Sequence, residues 1–411
     1  MSSSMASPSV PAHPLMVRPR RPRLWPLLAL LLVLVPVAGG GCLRTESPPP
    51  ATVPPPPPAT CSTTLPSFLA GANIIDLDDA DDADPSNDGQ RGYGSDAARR
   101  SLAHLVSLGG NTVVLPVDIY LQMSSGQPQQ FLPSPLTSTA GLARLRRMVR
   151  DAHELGLAVV VVPHLQLSDK SWRGDLRPAD AAAFLQRYAD AIAPVVDVVA
   201  SECAEVLSFA VEFKAMATDP QLQSAFASVL TQLRMRYAGV LSYSANWDEA
   251  EFVTFWPLVD VIGINAFAPL AASSSARPAQ LAERAGQLLQ AASTLSTKAQ
   301  RPVVFFEMGF KATSDALVRP WEWPKPAPVD EATQMKGFHA LLSAEEHQRV
   351  LRGLHWWMQP SDLDDDTHPW RFEPPAGFSI YGRPAEARFA AFANARISAS
   401  TAPMPSTTER P

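Results

Sequence analysis

Between about Leu65 and Ile397 the chain alternates short apolar runs with longer stretches whose apolar residues recur every three or four positions. The short runs, rich in Val, Ile, Leu and Phe, have the pattern of strands buried on both faces. They are expected at Leu69–Ile75, Thr112–Val117, Ala158–Leu165, Leu207–Val211, Val240–Ala245, Val259–Asn265, Val303–Phe306 and Gly353–Trp357. Helices are expected between them at Asp96–Ser107, Thr139–Leu155, Ala179–Ala193, Gln221–Tyr237, Glu249–Phe255, Ala279–Ala299 and Asp330–Leu342, with a last one at Ala385–Ile397. In the second of these, Leu145, Met148, Val149, Ala152 and Leu155 share one helical face, and Gly156 supplies the stop. Asp180 and Asp219 stand where N-caps belong. Eight strands alternating with eight helices over roughly 330 residues is the count of an α/β fold of the (β/α)8 TIM-barrel type. A doubly wound open sheet is the alternative, but no Gly-rich phosphate turn follows the first strand.

Two of the apolar runs end abruptly on a carboxylate. Val206 to Val211 is followed by Glu212, and Val303 to Phe306 by Glu307. One such residue would pass for an exposed strand end, because a buried carboxylate is costly unless paired or used. Two of them match the way a paired-carboxylate glycosidase is built. In a barrel the chemistry gathers at the C-terminal ends of the strands. The residues expected on that rim are Asp76, Asp118, Tyr120, His164, Gln166, Glu212, Asn246, Trp247, Phe267, Glu307, Trp356 and Trp357. Carboxylates and amides suit sugar hydroxyls, and flat rings suit the apolar faces of sugars. Strand alternation assigns Trp356 to stacking on substrate and Trp357 to packing. His164 has no His or Cys at ligand spacing and is expected to be a structural or substrate-contacting residue rather than a metal ligand.

Composition narrows the setting. With 411 residues, 46% of them hydrophobic, and a net charge of -6, the chain can bury a large core and offers nucleic acid no basic surface. Arg18, Arg20, Arg21 and Arg23 precede the apolar run Leu24 to Ala38, and Gly39, Gly40 and Gly41 lead into Cys42. This is an export signal, with Cys42 the candidate lipidation site of a cell-envelope lipoprotein and the only membrane contact expected. Prolines between Ser47 and Ala59 make a stiff spacer. The expected organisation is a signal over 1–42, a Pro-rich linker over 43–64, the barrel over 65–398 and a disordered tail over 399–411. Cys61 and Cys203 both fall at the N-terminal ends of predicted strands, a placement compatible with a disulfide. The Asp-rich stretches at Asp78–Asp84 and Asp362–Asp366 lack EF-hand spacing and read as solvated loops, so neither metal nor cofactor is expected.

Several segments together resemble glycoside hydrolase family 113, a group of (β/α)8 enzymes whose characterised members are mainly β-mannanases. They are Gly71-Ala72-Asn73, Ser171-Trp172-Arg173-Gly174, Tyr237 to Trp247, Asp260 to Phe267, Phe306 to Phe310 and Gly353 to Trp357. The resemblance implies a retaining glycosidase acting on a carbohydrate, with Glu307 as nucleophile and Glu212 as acid/base. Beside it, the residues themselves offer Trp172, Arg173, His164, Asn246, Trp247, Phe267 and Trp356 as substrate contacts. Trp172-Arg173-Gly174 is either a subsite wall or a loop anchored by a buried indole, and Asn246 either a substrate contact or a turn former. Two positions depart from the pattern of the wider clan: Val211 stands where Asn usually precedes the acid/base, and Phe267 where a Tyr often donates to the nucleophile. Loss of that donor is expected to raise the Glu307 pKa. A non-catalytic sugar-binding or envelope barrel therefore stays open as an alternative, as does a metal-dependent hydrolase using the Asp loops.

Overall fold

A computed structural model describes Cys61, residues 65–77, 90–363 and 375–401. The stretch expected to be an export signal, Cys42, the proline-rich segment, most of both Asp-rich stretches and most of the C-terminal tail lie outside the described residues.

Nine strands form one sheet: β1 (Leu69–Ile75), β2 (Thr112–Ser124), β3 (Gln127–Leu132), β4 (Ala158–Leu167), β5 (Val206–Val211), β6 (Val240–Asn246), β7 (Val261–Asn265), β8 (Val303–Met308) and β9 (Gly353–Pro360). All but β3 run parallel, each pairs with its neighbour, and β1 pairs with both β9 and β2, which closes the barrel. Around it stand α1 (Asp96–Ser107), α2 (Thr139–Glu154), α3 (Ala181–Ser201), a one-turn α4 (Lys214–Ala217), α5 (Gln223–Arg236), α6 (Pro278–Ala299), α7 (Glu331–Gln348) and α8 (Pro384–Thr401). Ser95, Ser138, Asp180 and Asp330 cap α1, α2, α3 and α7 through side-chain oxygens.

The strand pleat separates two cores. Leu69, Val114, Val160, Val162, Val206, Val211, Val261, Val304 and Phe306 fill the barrel. A larger layer between strands and helices holds Tyr188, Phe209, Phe226, Phe255 and Trp356 among others. Gly263 is small for a reason: a Cβ there would stand 2.5 Å from the Phe306 ring. Ser208 and Ser244 satisfy each other inside the barrel at 2.8 Å, and Asn73 Nδ2 donates to the Phe306 carbonyl at 2.7 Å.

Three expectations about elements need correction. β2 runs past Val117 to Ser124 and turns back into β3 through Ser125 and Gly126, both at positive φ (50° and 71°), the backbone a two-residue hairpin demands. The helix expected at Glu249–Phe255 is replaced by two 3-10 turns, Ala250–Phe252 and Trp256–Leu258. Seven residues hardly repay helix nucleation, and Pro257 blocks extension. Finally, α3 carries Pro194 in its interior and continues to Ser201 instead of stopping at Ala193.

Cys61 and Cys203 form a disulfide across 142 residues of sequence, with Cα atoms 5.4 Å apart. It ties the chain entering β1 to the segment entering β5, on the face opposite the strand C-termini. Replacing both cysteines with serine should lower unfolding free energy by about 2–5 kcal/mol. Denaturant unfolding checks this, and equal midpoints for parent and variant would contradict it.

Candidate active site

The strands that deliver the site are irregular where it matters. Between Ile264 and Asn265 the register of β7 against β8 skips a residue, so Asn265 pairs with Glu307 while Ile264 pairs with Phe305. A similar slip lies in β5 between Ser208 and Val211. Another separates the Ala72–Trp356 and Ile74–Gln359 pairs of β1 and β9. Bulges re-aim side chains. Here Phe306 fills the barrel while the adjacent Glu307 also joins the buried rim, and Val211 turns inward just before Glu212. Glu212 itself has φ 53°, a left-handed backbone that costs a non-glycine residue about 1–2 kcal/mol. Its N–H donates to the Ser244 carbonyl at 2.8 Å.

Both carboxyls are buried, at 7% and 6% exposure for Glu212 and Glu307, so neither is a solvated strand end. Glu212 Oε2 accepts from Trp172 Nε1 at 3.1 Å and from Arg173 Nη2 at 3.2 Å, and its Oε1 accepts from Asn265 Nδ2 at 3.3 Å. Trp172 can lie flat because Gly174 has no side chain: a Cβ there would meet the indole at 2.5 Å. Lys214 stands 5.9 Å over the same ring and pairs with Asp248 at 2.6 Å. His164 Nε2 is 3.6 Å from Glu307 Oε1, an electrostatic contact rather than a hydrogen bond. Burial pushes the Glu307 carboxyl up to about 8, the charge of Glu212 adds to the rise, and Arg173 and Asn265 oppose it. Burial thus favours the neutral form of Glu307, while three donors surround the Glu212 carboxyl.

The rest of the rim sorts into two groups. His164 stacks parallel to Trp357, centroids 6.0 Å apart. Phe267 stands edge-on to Phe378 in a cluster with Trp357 and Met358, bordered by Trp247, Trp321 and Trp323. Gln166 Nε2 donates to Asp118 Oδ1 at 2.9 Å, and burial raises the Asp118 carboxyl against the pull of Gln166, Arg173 and Tyr120. Asn246 is buried, and no protein group among the described residues hydrogen-bonds its Oδ1. Asp76 is spent elsewhere: its Oδ1 accepts the Tyr93 N–H at 2.9 Å, and Arg144 lies 3.6 Å away.

The tryptophan pair on β9 is the reverse of the expectation. Trp356 is 1% exposed and packs edge-on against Phe389 of α8 at 4.3 Å, so it is no substrate platform. Trp357 faces the site. The phase follows from His355, which turns into the barrel against Phe306, and alternation then carries Trp357 to the same side. Trp172 and Arg173, expected as a subsite wall, act first as donors to Glu212. Asn265 was overlooked although it ends an apolar run as the two glutamates do.

Among the described residues no group of three or more His, Cys, Asp or Glu side chains is arranged to hold a metal ion. Comparison with curated protein sequences finds no match. Solved structures do match. The GH113 β-mannanase AaManA from Alicyclobacillus acidocaldarius, in complex with ManMIm, superposes with a TM-score of 0.65 at 22% identity, covering 81% of this chain and 98% of that one. A GH113 β-1,4-mannanase complex gives 0.65 at 15% identity, with 80% and 100% covered. The endo-β-1,4-mannanase from Thermotoga petrophila gives 0.51 at 12% identity, with 80% and 77% covered. At these identities the likeness establishes the barrel. The family is established by sequence, because the model of Glycoside Hydrolase Family 113 matches residues 86–383, the span that contains Trp172, Glu212, Asn265, Glu307 and Trp357. A closed parallel barrel with two buried glutamates at its C-terminal rim, matched over most of its length, makes this chain a member of glycoside hydrolase family 113, an enzyme of glycosidic-bond hydrolysis.

Proposed function

We propose that the protein is a retaining β-glycoside hydrolase acting on a β-mannan-like polysaccharide or oligosaccharide, with Glu307 as nucleophile and Glu212 as acid/base. The observation that carries the proposal is that both carboxyls sit on one buried rim, where Asn265 donates to Glu212 and stands opposite Glu307 in the strand register, and where the charge of Glu212 acts on Glu307. In retention the nucleophile's oxygen bonds the anomeric carbon as the acid gives its proton to the departing oxygen; water then reverses the step with the acid acting as base. Arg173 and Trp172 favour the charge that Glu212 acquires when it gives up its proton. Mannan is favoured by the family and by the mannanases whose structures match. Reducing-sugar release from mannan, glucan and galactan polymers, with Glu307→Ala as control, tests the activity. Equal release by parent and variant would remove the proposal.

A second reading exchanges the roles. The three donors on Glu212 suit a standing carboxylate, and the raised Glu307 suits a general acid. Covalent trapping, taken up in the Discussion, separates the two.

In both readings the working form carries one proton on the pair. As pH rises through about 8 that proton leaves and no acid remains, so kcat/KM should fall there. Phe267→Tyr adds a hydroxyl next to the site and should move this alkaline limb down by about one pH unit by favouring the ionised carboxyl. A limb that stays where it was would show that the missing tyrosine does not govern Glu307.

A further inference from the structure

Tyr243 and Glu249 are buried beside Glu212, and the chemistry described so far leaves them unused. Tyr243 lies on β6 and turns away from the barrel interior, its ring packed against Phe209, Phe255 and Trp256. Its hydroxyl donates to Glu249 Oε1 at 2.6 Å and accepts the Phe213 N–H at 2.6 Å. Glu249 is fully buried, and its own N–H donates to the Asn246 carbonyl at 3.0 Å. Both peptide N–H groups flanking the Glu212 Cα are thus held from β6: that of Glu212 by the Ser244 carbonyl, that of Phe213 by the Tyr243 hydroxyl. A left-handed glutamate persists only where its surroundings fix it. Phe213 opens α4 with no side-chain cap of its own, so the Tyr243 oxygen serves its amide instead.

We propose that Tyr243 and Glu249 are positioning residues for Glu212. The Glu249 carboxyl orients the Tyr243 hydroxyl, which captures the Phe213 amide and locks the backbone turn that aims the Glu212 carboxyl at Trp172, Arg173 and Asn265. A phenol that must accept from an amide needs an acceptor for its own proton, and Glu249 Oε1 is that acceptor. Burial pushes the Glu249 carboxyl well above the ordinary range; Tyr243 opposes the shift and the charge of Glu212 adds to it. In the neutral form that burial favours, the carboxyl still accepts the tyrosine proton and places no second negative charge behind Glu212.

The inference rests on the reading of Glu212 as acid/base, and its test keeps the two apart. Steady-state kinetics of the full chain are compared on a manno-oligosaccharide, whose leaving group needs a proton, and on a dinitrophenyl β-mannoside, whose leaving group does not. Tyr243→Phe should lower kcat/KM on the oligosaccharide about 10–100-fold, through kcat rather than KM, and lower kcat/KM far less on the activated substrate, whose first step needs no proton. Glu249→Gln keeps an acceptor and should stay within about threefold of the parent, whereas Glu249→Leu should follow Tyr243→Phe. Equal losses of kcat/KM on both substrates, or Gln as damaging as Leu at position 249, would overturn the positioning role. An unchanged Tyr243→Phe enzyme beside an inactive Glu212→Ala enzyme would overturn it alone; a fully active Glu212→Ala enzyme would remove the catalytic reading and this inference together. Should Tyr243→Phe fail to fold, the two variants at 249 carry the test.

Discussion

Replacing Glu307 with alanine should lower kcat on mannan by about 10^5-fold or more, since the proposed nucleophile is gone and no other carboxyl can take its place. Glu212 is held away by Trp172, Arg173 and Asn265, and Asp118 is occupied by Gln166. The same site should show its cost in stability. A carboxyl raised from 4.5 to about 8 is protonated in the native state over a range where the unfolded chain has released the proton. Its contribution is therefore full below about pH 4.5 and is lost as pH rises toward 8. Glu307→Gln, which carries no charge, should melt higher than the parent at pH 8 and nearly with it at pH 4, the usual trade of stability for activity. Thermal melts at the two pH values check this. A lower melting point for the variant at pH 8 would mean that the burial of Glu307 carries no strain.

Replacing Glu212 with alanine should have a different signature. On polymer kcat/KM should drop about 10^2–10^4-fold, the range for loss of general acid–base catalysis. On a dinitrophenyl glycoside the first step needs no proton, so the intermediate should accumulate and its breakdown should limit turnover. Azide, a nucleophile that needs no base, should then restore rate and leave a glycosyl azide. Loss without azide rescue on either substrate would argue that Glu212 serves structure. The variant also strands Arg173 and Trp172 Nε1 without their acceptor, so part of the loss on polymer can be local rearrangement. The leaving-group contrast removes that ambiguity, because rearrangement slows both substrates.

The barrel was legible because Val, Ile, Leu and Phe runs buried on both faces leave little choice of element, and their alternation with amphipathic segments leaves little choice of topology. Glu212 and Glu307 were legible because each interrupts such a run with a group that burial penalises. The same rule applied to Val261–Asn265 points to Asn265, the amide that donates to Glu212 and stands opposite Glu307 in the strand register. Other features depend on phase, which a short run conceals. The orientation of Trp356 and Trp357 follows from His355 entering the barrel, and a run that is buried on both faces carries no polar alternation to reveal this. The register slips in β5, β8 and β9 leave no mark in composition, yet they decide which neighbours of Glu212 and Glu307 face the site. The Tyr243–Glu249 contact joins β6 to the turn after it, where a helix was expected; with a helix in that place the two side chains would have been assigned to solvent and core separately.

The central claim is that Glu307 attacks the sugar and Glu212 handles the proton. Incubation with a 2-deoxy-2-fluoro-β-mannosyl fluoride, which slows breakdown of a covalent intermediate more than its formation, followed by proteolysis and mass spectrometry, tests it most directly. The account predicts a single fluoro-mannosyl adduct on the peptide containing Glu307. An adduct on Glu212 would contradict the assignment of roles, and an α-configured product with no adduct would contradict retention itself.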